Sequence, residues 1–430
     1  MSTRTVLIIM NFVAVAAIGG YLLWRVFSVK RNPDVTTPEN LEPFFDDEVL
    51  EGAHLERALG VALIALIIVI IGLLAYFIWE PFREDAAGDG FKERSVERGA
   101  VLFANSASKN YDSTKSLLCA NCHGVDGGGG VASFVVKSED PRCDPNQTVN
   151  QDLVDNAPYC LPKQVSWAAP SLKLASLRYD RKQLTQIITY GRPGTPMPAW
   201  GVVSGKGALQ QQSIQDLVNY VDSLSTTSDK AMTEAAQEVR DCTSRSACVG
   251  RKQLQSTEVR DAADKWVTDA RAELVAAQAE KAANIDPKQD ATYDKLVALK
   301  QETLDTALSW QDATVNATDG QILFMNQCAR CHTRGWSYFD PANPNGDSSP
   351  NPPMGTMGGG AYGPNLTNGD VNNQFPPPTG EAELFAWISE GVPANQGYGI
   401  RGISSGRMPH FGAVLTKTQI EAIMAYERSL

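Results

Sequence analysis

Five residues, Cys119-Ala120-Asn121-Cys122-His123, return in the second half of the chain as Cys328-Ala329-Arg330-Cys331-His332. This duplicated pattern constrains the fold of the 430-residue chain more than any other feature. A lone C-x-x-C pair is compatible with a redox dithiol or half of a zinc site. Here both copies carry an adjacent His, and neither has a second pair close by to complete a zinc cage. A further residue recurs downstream of each. Met197 lies in GRPGTPMPAWG and Met408 in SSGRMPHFG, and the spacing from Cys119 to Met197 is nearly that from Cys328 to Met408. The agreement reads as one unit used twice.

C-x-x-C-H is a c-type haem attachment signature. Two thiols add across the two vinyl groups of one porphyrin, and the adjacent His reaches the iron. The expected cofactors are therefore two covalent haem c groups. Cys119, Cys122 and His123 would hold one, and Cys328, Cys331 and His332 the other. Thioether sulfur is a soft sixth ligand for such an iron, and flanking Pro and Gly place Met197 and Met408 on loops. The expected metal ligands are His123 with Met197 and His332 with Met408. Met354 and Met357, in NPPMGTMGGG, and His410, close behind Met408, are the alternatives.

The frame around each motif also repeats. Gly99 and Phe103 precede the first, Gly320 and Phe324 the second. Amphipathic segments 214–224, with Tyr220, and 420–430, with Tyr426, follow the methionines. Residues four apart share a helix face, and Gly allows another helix to approach closely. These features resemble the crossed N- and C-terminal helices of class I cytochrome c domains, over about 95–224 and 317–430. Pro170-Ser171-Leu172 and Gly363-Pro364-Asn365-Leu366 resemble that family's Gly-Pro-x-Leu turn, with Ala169 in place of the usual Gly. The resemblance implies that each Pro supports the proximal His through its carbonyl.

Residues 6–24 and 58–79 are almost wholly apolar, and each ends in Trp. A helix needs about 20 apolar residues to cross the hydrocarbon core. Two spans are expected, a cleaved leader being the alternative for the first. Haem attachment of this type implies an extracytoplasmic location for everything after Trp79, so the loop 25–57 falls inside. Its Arg25, Lys30, Arg31 and Arg57 outnumber the Arg4 before the first span, in the sense of the positive-inside rule. His54 then lies in the inner loop.

Four further cysteines suggest disulfides Cys143–Cys160 and Cys242–Cys248 in an oxidising compartment. Residues 225–312 are rich in Ala, Glu, Lys, Gln and Asp. Trp266, Val267, Ala270, Leu274 and Ala277 recur at helical spacing, and Asn284-Ile285-Asp286-Pro287 interrupts the pattern. This reads as a helical hairpin, a spacer or a docking arm. The Gly/Pro/Asn-rich run 341–363 reads as a long loop over the second haem edge or free in solvent.

The expected architecture is mainly α: a two-span transmembrane anchor (1–94), a first class I cytochrome c domain (95–224), a helical insert (225–316) and a second such domain (317–430). Net charge is −11, which disfavours nucleic acid, since nothing would neutralise phosphates. Two six-coordinate irons leave no open position for a small substrate. This points to an electron-transfer subunit of an oxidoreductase complex rather than a stand-alone catalyst. The arrangement resembles the membrane-bound dihaem cytochrome c subunits of actinobacterial-type quinol–cytochrome c oxidoreductase and oxidase chains, although the anchor there is C-terminal. That resemblance implies a cell-membrane location and partners in a bc-type complex or a terminal oxidase. The alternative partner is a periplasmic dehydrogenase for which the chain accepts electrons.

Overall fold

A helix of 51 residues, α1 (Ala53–Phe103), carries the longer apolar run. Leu59, Ile64, Ile68, Ile71, Phe77 and Trp79 on it are all exposed. A helix apolar around its circumference is stable only when something other than water covers it. Among the described residues it is the one helix long and apolar enough to cross a membrane. The computed structural model describes residues 12–13, 16–21, 24, 52–244, 254, 256–343 and 354–430. Two spans follow from the sequence, and one is found there. The other run, 6–24, lies largely outside the described residues, although 12–13, 16–21 and 24 are helical.

The chain divides into two compact units, Met1–Glu93 and Arg94–Leu430. In the second unit the end of α1 crosses α3 (Gln211–Ser223). The crossing point is Gly99. A Cβ there would stand 2.1 Å from the Asp216 carbonyl oxygen, so a larger residue cannot occupy the position without moving a helix. Phe103 then packs on Tyr220 with ring centroids 5.1 Å apart. Asp216, buried beside the crossing, accepts hydrogen bonds from Ser95 Oγ at 2.6 Å and Arg98 Nε at 2.8 Å. Burial pushes its carboxyl up, but the Arg98, Ser95 and Gln212 donors outweigh this and hold it below the ordinary carboxylate range. Between these helices runs α2 (Arg181–Tyr190), opened by a reciprocal cap between Asp180 and Gln183. Leu184 and Ile188 turn its apolar face onto Phe103, Leu217 and Val218.

An antiparallel hairpin, β1 (Gly130–Val136) with β2 (Lys163–Ala169), interrupts this lobe; Ser133 lies opposite Ser166. A helical reading of the chain does not anticipate it. Alternation explains it: Ala132, Val165 and Trp167 are buried while Ser133, Gln164 and Ser166 face out. Cys143 and Cys160, in the long connection between the two strands, form the expected disulfide. The expected Cys242–Cys248 bridge lies outside the described residues.

Three helices follow: α4 (Ser228–Ser244), α5 (Thr257–Ala283) and α6 (Asp290–Asn316). The last two pack along each other, reversing at Asn284–Gln289, where Asn284 Nδ2 donates to the Asp286 carbonyl at 2.9 Å and Asp286 caps Lys288. Trp266, Val267, Ala270, Leu274 and Ala277 are buried on the inner face of α5. The pair is not a free arm. Trp310 of α6 packs edge-on against Phe339 at 4.9 Å, and Met354 and Met357 complete the same core. Of the run expected as a long loop over the second haem edge or free in solvent, Met354 and Met357 pack into the core against the helical pair, while Gly363 at its end stands against the His332 ring.

The second lobe repeats the crossing. Gly320 of α7 (Asp319–Gln327) meets α9 (Lys417–Glu427), with 2.1 Å from its built Cβ to the Ala422 carbonyl oxygen. Phe324 packs on Tyr426 at 5.3 Å. Between them lies α8 (Glu381–Glu390), burying Leu384 and Ile388 as α2 buries Leu184 and Ile188.

Candidate functional site

Each C-x-x-C-H motif sits on a single helical turn, Ala120–His123 and Ala329–His332. The four thiols are unpaired in a chain that closes the Cys143–Cys160 bridge elsewhere. Burial pushes the Cys119 thiol up to about 12 and the Cys328 thiol well above its ordinary range, so both are held as neutral SH groups. His123 Nδ1 lies 3.3 Å from the Pro170 carbonyl oxygen, and His332 Nδ1 lies 3.0 Å from that of Pro364. A backbone carbonyl in this position accepts a hydrogen bond from Nδ1–H, which keeps the proton on Nδ1 and leaves Nε2 with a free lone pair. Burial pushes both imidazoles below their ordinary value, against the weaker pull of those carbonyls. Neutral imidazole is the form that ligates a metal. Gly363 makes room for the second ring: a Cβ there would lie 2.5 Å from His332 Cε1.

The turns behind each His match hydrogen bond by hydrogen bond. Gly129 N donates to the His123 carbonyl and Gly360 N to that of His332, both at 2.9 Å. Leu172 N donates to Gly127 O and Leu366 N to Gly358 O, both at 2.8 Å. The methionine loops match as well. After Met197, Trp200 N reaches Ile188 O at 3.1 Å and Gly201 N reaches Thr189 O at 3.0 Å. After Met408, Phe411 N reaches Ile388 O at 3.2 Å and Gly412 N reaches Ser389 O at 2.9 Å. Each methionine therefore stands just before a strand-like return onto the α2 or α8 helix. Both are half-buried.

A cavity of about 1080 Å³ opens in the second lobe, lined by Cys331, His332 and Met408. Phe375, Trp387 and Tyr398 give it aromatic walls, the last two stacked at 3.8 Å. Its size and lining suit a large flat cofactor, and its donors suit an iron porphyrin joined through thiols. Cys328 is buried at the head of the same turn. Met408 lines the cavity and His410 does not; the His410 backbone N–H donates instead to Arg178 O at 2.9 Å. Met354 and Met357 are buried against α6, and Met357 Sδ accepts a hydrogen bond from Thr333 Oγ1 at 3.4 Å. A haem held here would supply one-electron chemistry. The chain's residues would hold it by two thiols, orient the His, and exclude water with aromatic walls.

Two features of this cavity have only faint sequence signals. Glu427 lines it, buried, directly after Tyr426; the equivalent after Tyr220 is Val221, so a carboxylate on an apolar helix face was the available sign. Tyr179, Tyr190 and Arg192 also line it, although they belong to the first lobe. Arg192 donates to Tyr179 OH at 2.9 Å, and Tyr362 OH donates to Gly194 O at 2.8 Å across the same seam. No local pattern announces such a wall, because it comes from packing between distant segments.

Residues 96–225 match the Cytochrome c family model. That lobe is a cytochrome c domain, a kind of domain that carries covalently bound haem c and serves haem-based electron transfer. No curated protein and no solved structure matches the chain.

Proposed function

We propose that the chain is a membrane-anchored dihaem cytochrome c that passes electrons on the extracytoplasmic side of the cell membrane, between a quinol-oxidising bc-type complex and a terminal oxidase. One observation carries the dihaem reading. The second lobe reproduces the frame of the matched cytochrome c domain turn by turn: the crossed helices at Gly99 and Gly320, the His–carbonyl contacts, and the methionine returns. Cys119, Cys122, His123 and Met197 hold one haem. Cys328, Cys331, His332 and Met408 hold the other. The seam between the lobes favours direct exchange, since first-lobe side chains wall the second cavity. The exposed apolar run of α1 supports the anchor.

The test has two arms. Haem content of the purified chain, measured by alkaline pyridine haemochrome, is expected to be two per chain. Met197→Ala and Met408→Ala are each expected to convert one of the two haems to a high-spin spectrum and leave the other. One haem per chain would end the dihaem reading. Mild-detergent purification from native membranes is expected to bring down a cytochrome b or an oxidase core, with haem bands reduced on adding a quinol. Co-purification with a periplasmic dehydrogenase, and reduction only by that enzyme's substrate, would replace the respiratory-chain reading with the electron-accepting one.

A further inference from the structure

The two attachment turns differ in the charge around them. At the first, Asn121 stands between the cysteines, hydrogen-bonded to Asn105 Nδ2 at 3.0 Å. Asp126, three residues after His123, pairs with Lys173 at 2.7 Å. At the second, Arg330 takes the place of Asn121. It is half-buried, with Nη1 donating to the Ala168 carbonyl of β2 at 2.6 Å and to Ser337 Oγ at 3.3 Å. No carboxylate is among those partners. Arg178, reaching over from the first lobe, donates to the side chain of Gln327, the residue before Cys328. Its guanidinium lies 5.3 Å from the centre of the ring of Phe411, which follows Met408 on the same loop. Its Nε is buried without a partner.

The carboxyls that face these cations do not cancel them fully. Glu238 of α4 faces Arg178 and hydrogen-bonds Gln327 at 3.4 Å; burial pushes its carboxyl up toward the neutral form, against the pull of Arg178. Glu427 is pushed up as well, to about 8. Arg334, further along, is already matched by Glu139 and Glu302. Arg192 lines the second cavity but also belongs to the Met197 loop, so its charge is shared between the sites. Arg401, Arg407 and Asp370 line the second cavity as well, but all three are exposed to water, which screens them. Among the less exposed charges the asymmetry rests on Arg178 and Arg330.

We infer that Arg178 and Arg330 hold the second haem at the higher potential, so that electrons enter at the first haem and leave from the second. An iron porphyrin with His and Met ligands carries one more positive charge when oxidised than when reduced. Fixed cations in a poorly solvated site therefore favour the reduced form. The exchange moves one electron: the first iron goes from ferrous to ferric as the second goes from ferric to ferrous. Arg178 and Arg330 are positioning residues that act through the field and do not touch the iron.

This inference rests on the dihaem reading, and the test separates the two. The full chain in detergent is titrated by spectroelectrochemistry, after its haem count is known. Met408→His, which replaces one ligand of the second site, identifies that haem's wave. The second wave is expected above the first. Arg178→Gln and Arg330→Gln are each expected to lower the second wave and leave the first, shifting the equilibrium between the haems about tenfold, ~59 mV for one electron. Arg178→Lys and Arg330→Lys, which keep the charge, are expected to restore it. A single haem would overturn the dihaem reading itself. Two haems with the second wave at or below the first would overturn only the inference. So would Gln variants that move both waves together, or neither, or Lys variants no better than Gln.

Discussion

At the residue scale, the two lobes differ most where one side chain changes the chemistry of a shared position. Val221 and Glu427 occupy equivalent places directly after the packed tyrosine. Val221 is simply core, whereas Glu427 brings a carboxyl to a cavity wall. Burial, only partly opposed by Arg428, pushes that carboxyl up to about 8, from about 4.3 in an unfolded chain. Between those values the folded protein keeps a proton that the unfolded chain has lost, so the group's contribution to stability declines as pH rises through the window. Glu427→Gln removes the decline. Relative to the native protein, its Tm is expected to improve by about 2–4 °C for each kcal/mol recovered as pH is raised from about 5 to about 8. A Tm difference that stays constant over that range would show that the carboxyl does not titrate there. Arg330, set against Asn121 in the middle of a repeated motif, is the same kind of single-residue divergence.

At the scale of elements, the helical pair shows how a pattern identifies an element and leaves its role undecided. The helical recurrence through Trp266, Ala270, Leu274 and Ala277 marks α5, and Asp286-Pro287 marks the reversal. Whether the pair stands free is decided by what covers its outer aromatic residues. Trp310, 1% exposed, is enclosed by Trp336 and Phe339 from the following lobe. Trp310→Ala is expected to cost about 3–5 kcal/mol, as large cavities in cores do, and to raise amide hydrogen exchange along 290–316. Unchanged exchange there would mean that the pair is held by other contacts. The β1–β2 hairpin was hidden for a related reason. Its alternation is short, its cysteines dominate the reading, and its buried Trp167 finds its partner, Tyr338, far along the chain in the second lobe, with ring centroids 5.5 Å apart.

At the scale of the whole molecule, the division at Glu93 and Arg94 separates a unit with a long exposed apolar helix from one with its own cores. A chain beginning at Arg94, exported behind a cleavable leader so that haem can be attached, is expected to appear in the soluble fraction with its haem content intact, while the full chain sediments with membranes. Retention of the shortened chain on lipid vesicles would place a membrane contact in the second unit as well. Across that unit, the lobes are tied by Arg178 to Gln327, Tyr362 to Gly194, Arg330 to the Ala168 carbonyl and Arg334 to Glu139. This seam lets one lobe's residues act on the other's cavity.

What the amino-acid sequence determined by itself was local: the two thiol–imidazole motifs, the apolar run of α1, the helical periodicities and the Gly–aromatic pairs. Each follows from covalent chemistry or from the period of a single element, and these need only neighbours in the chain. The nearly equal spacing of cysteine and methionine in the two lobes has another origin than it suggests. His123 and Gly129 are close in sequence, but a long stretch separates their counterparts His332 and Gly360. Gly129 and Leu172 are far apart, whereas Gly360 and Leu366 are close. The extra chain enters the two lobes at different turns, and the totals agree nonetheless. Only the tertiary structure decided which turns correspond, that the helical pair is packed rather than extended, and that Arg178 and Arg192 of one lobe stand at the other's site. Those are contacts between residues far apart in sequence, set by how completed elements pack against one another.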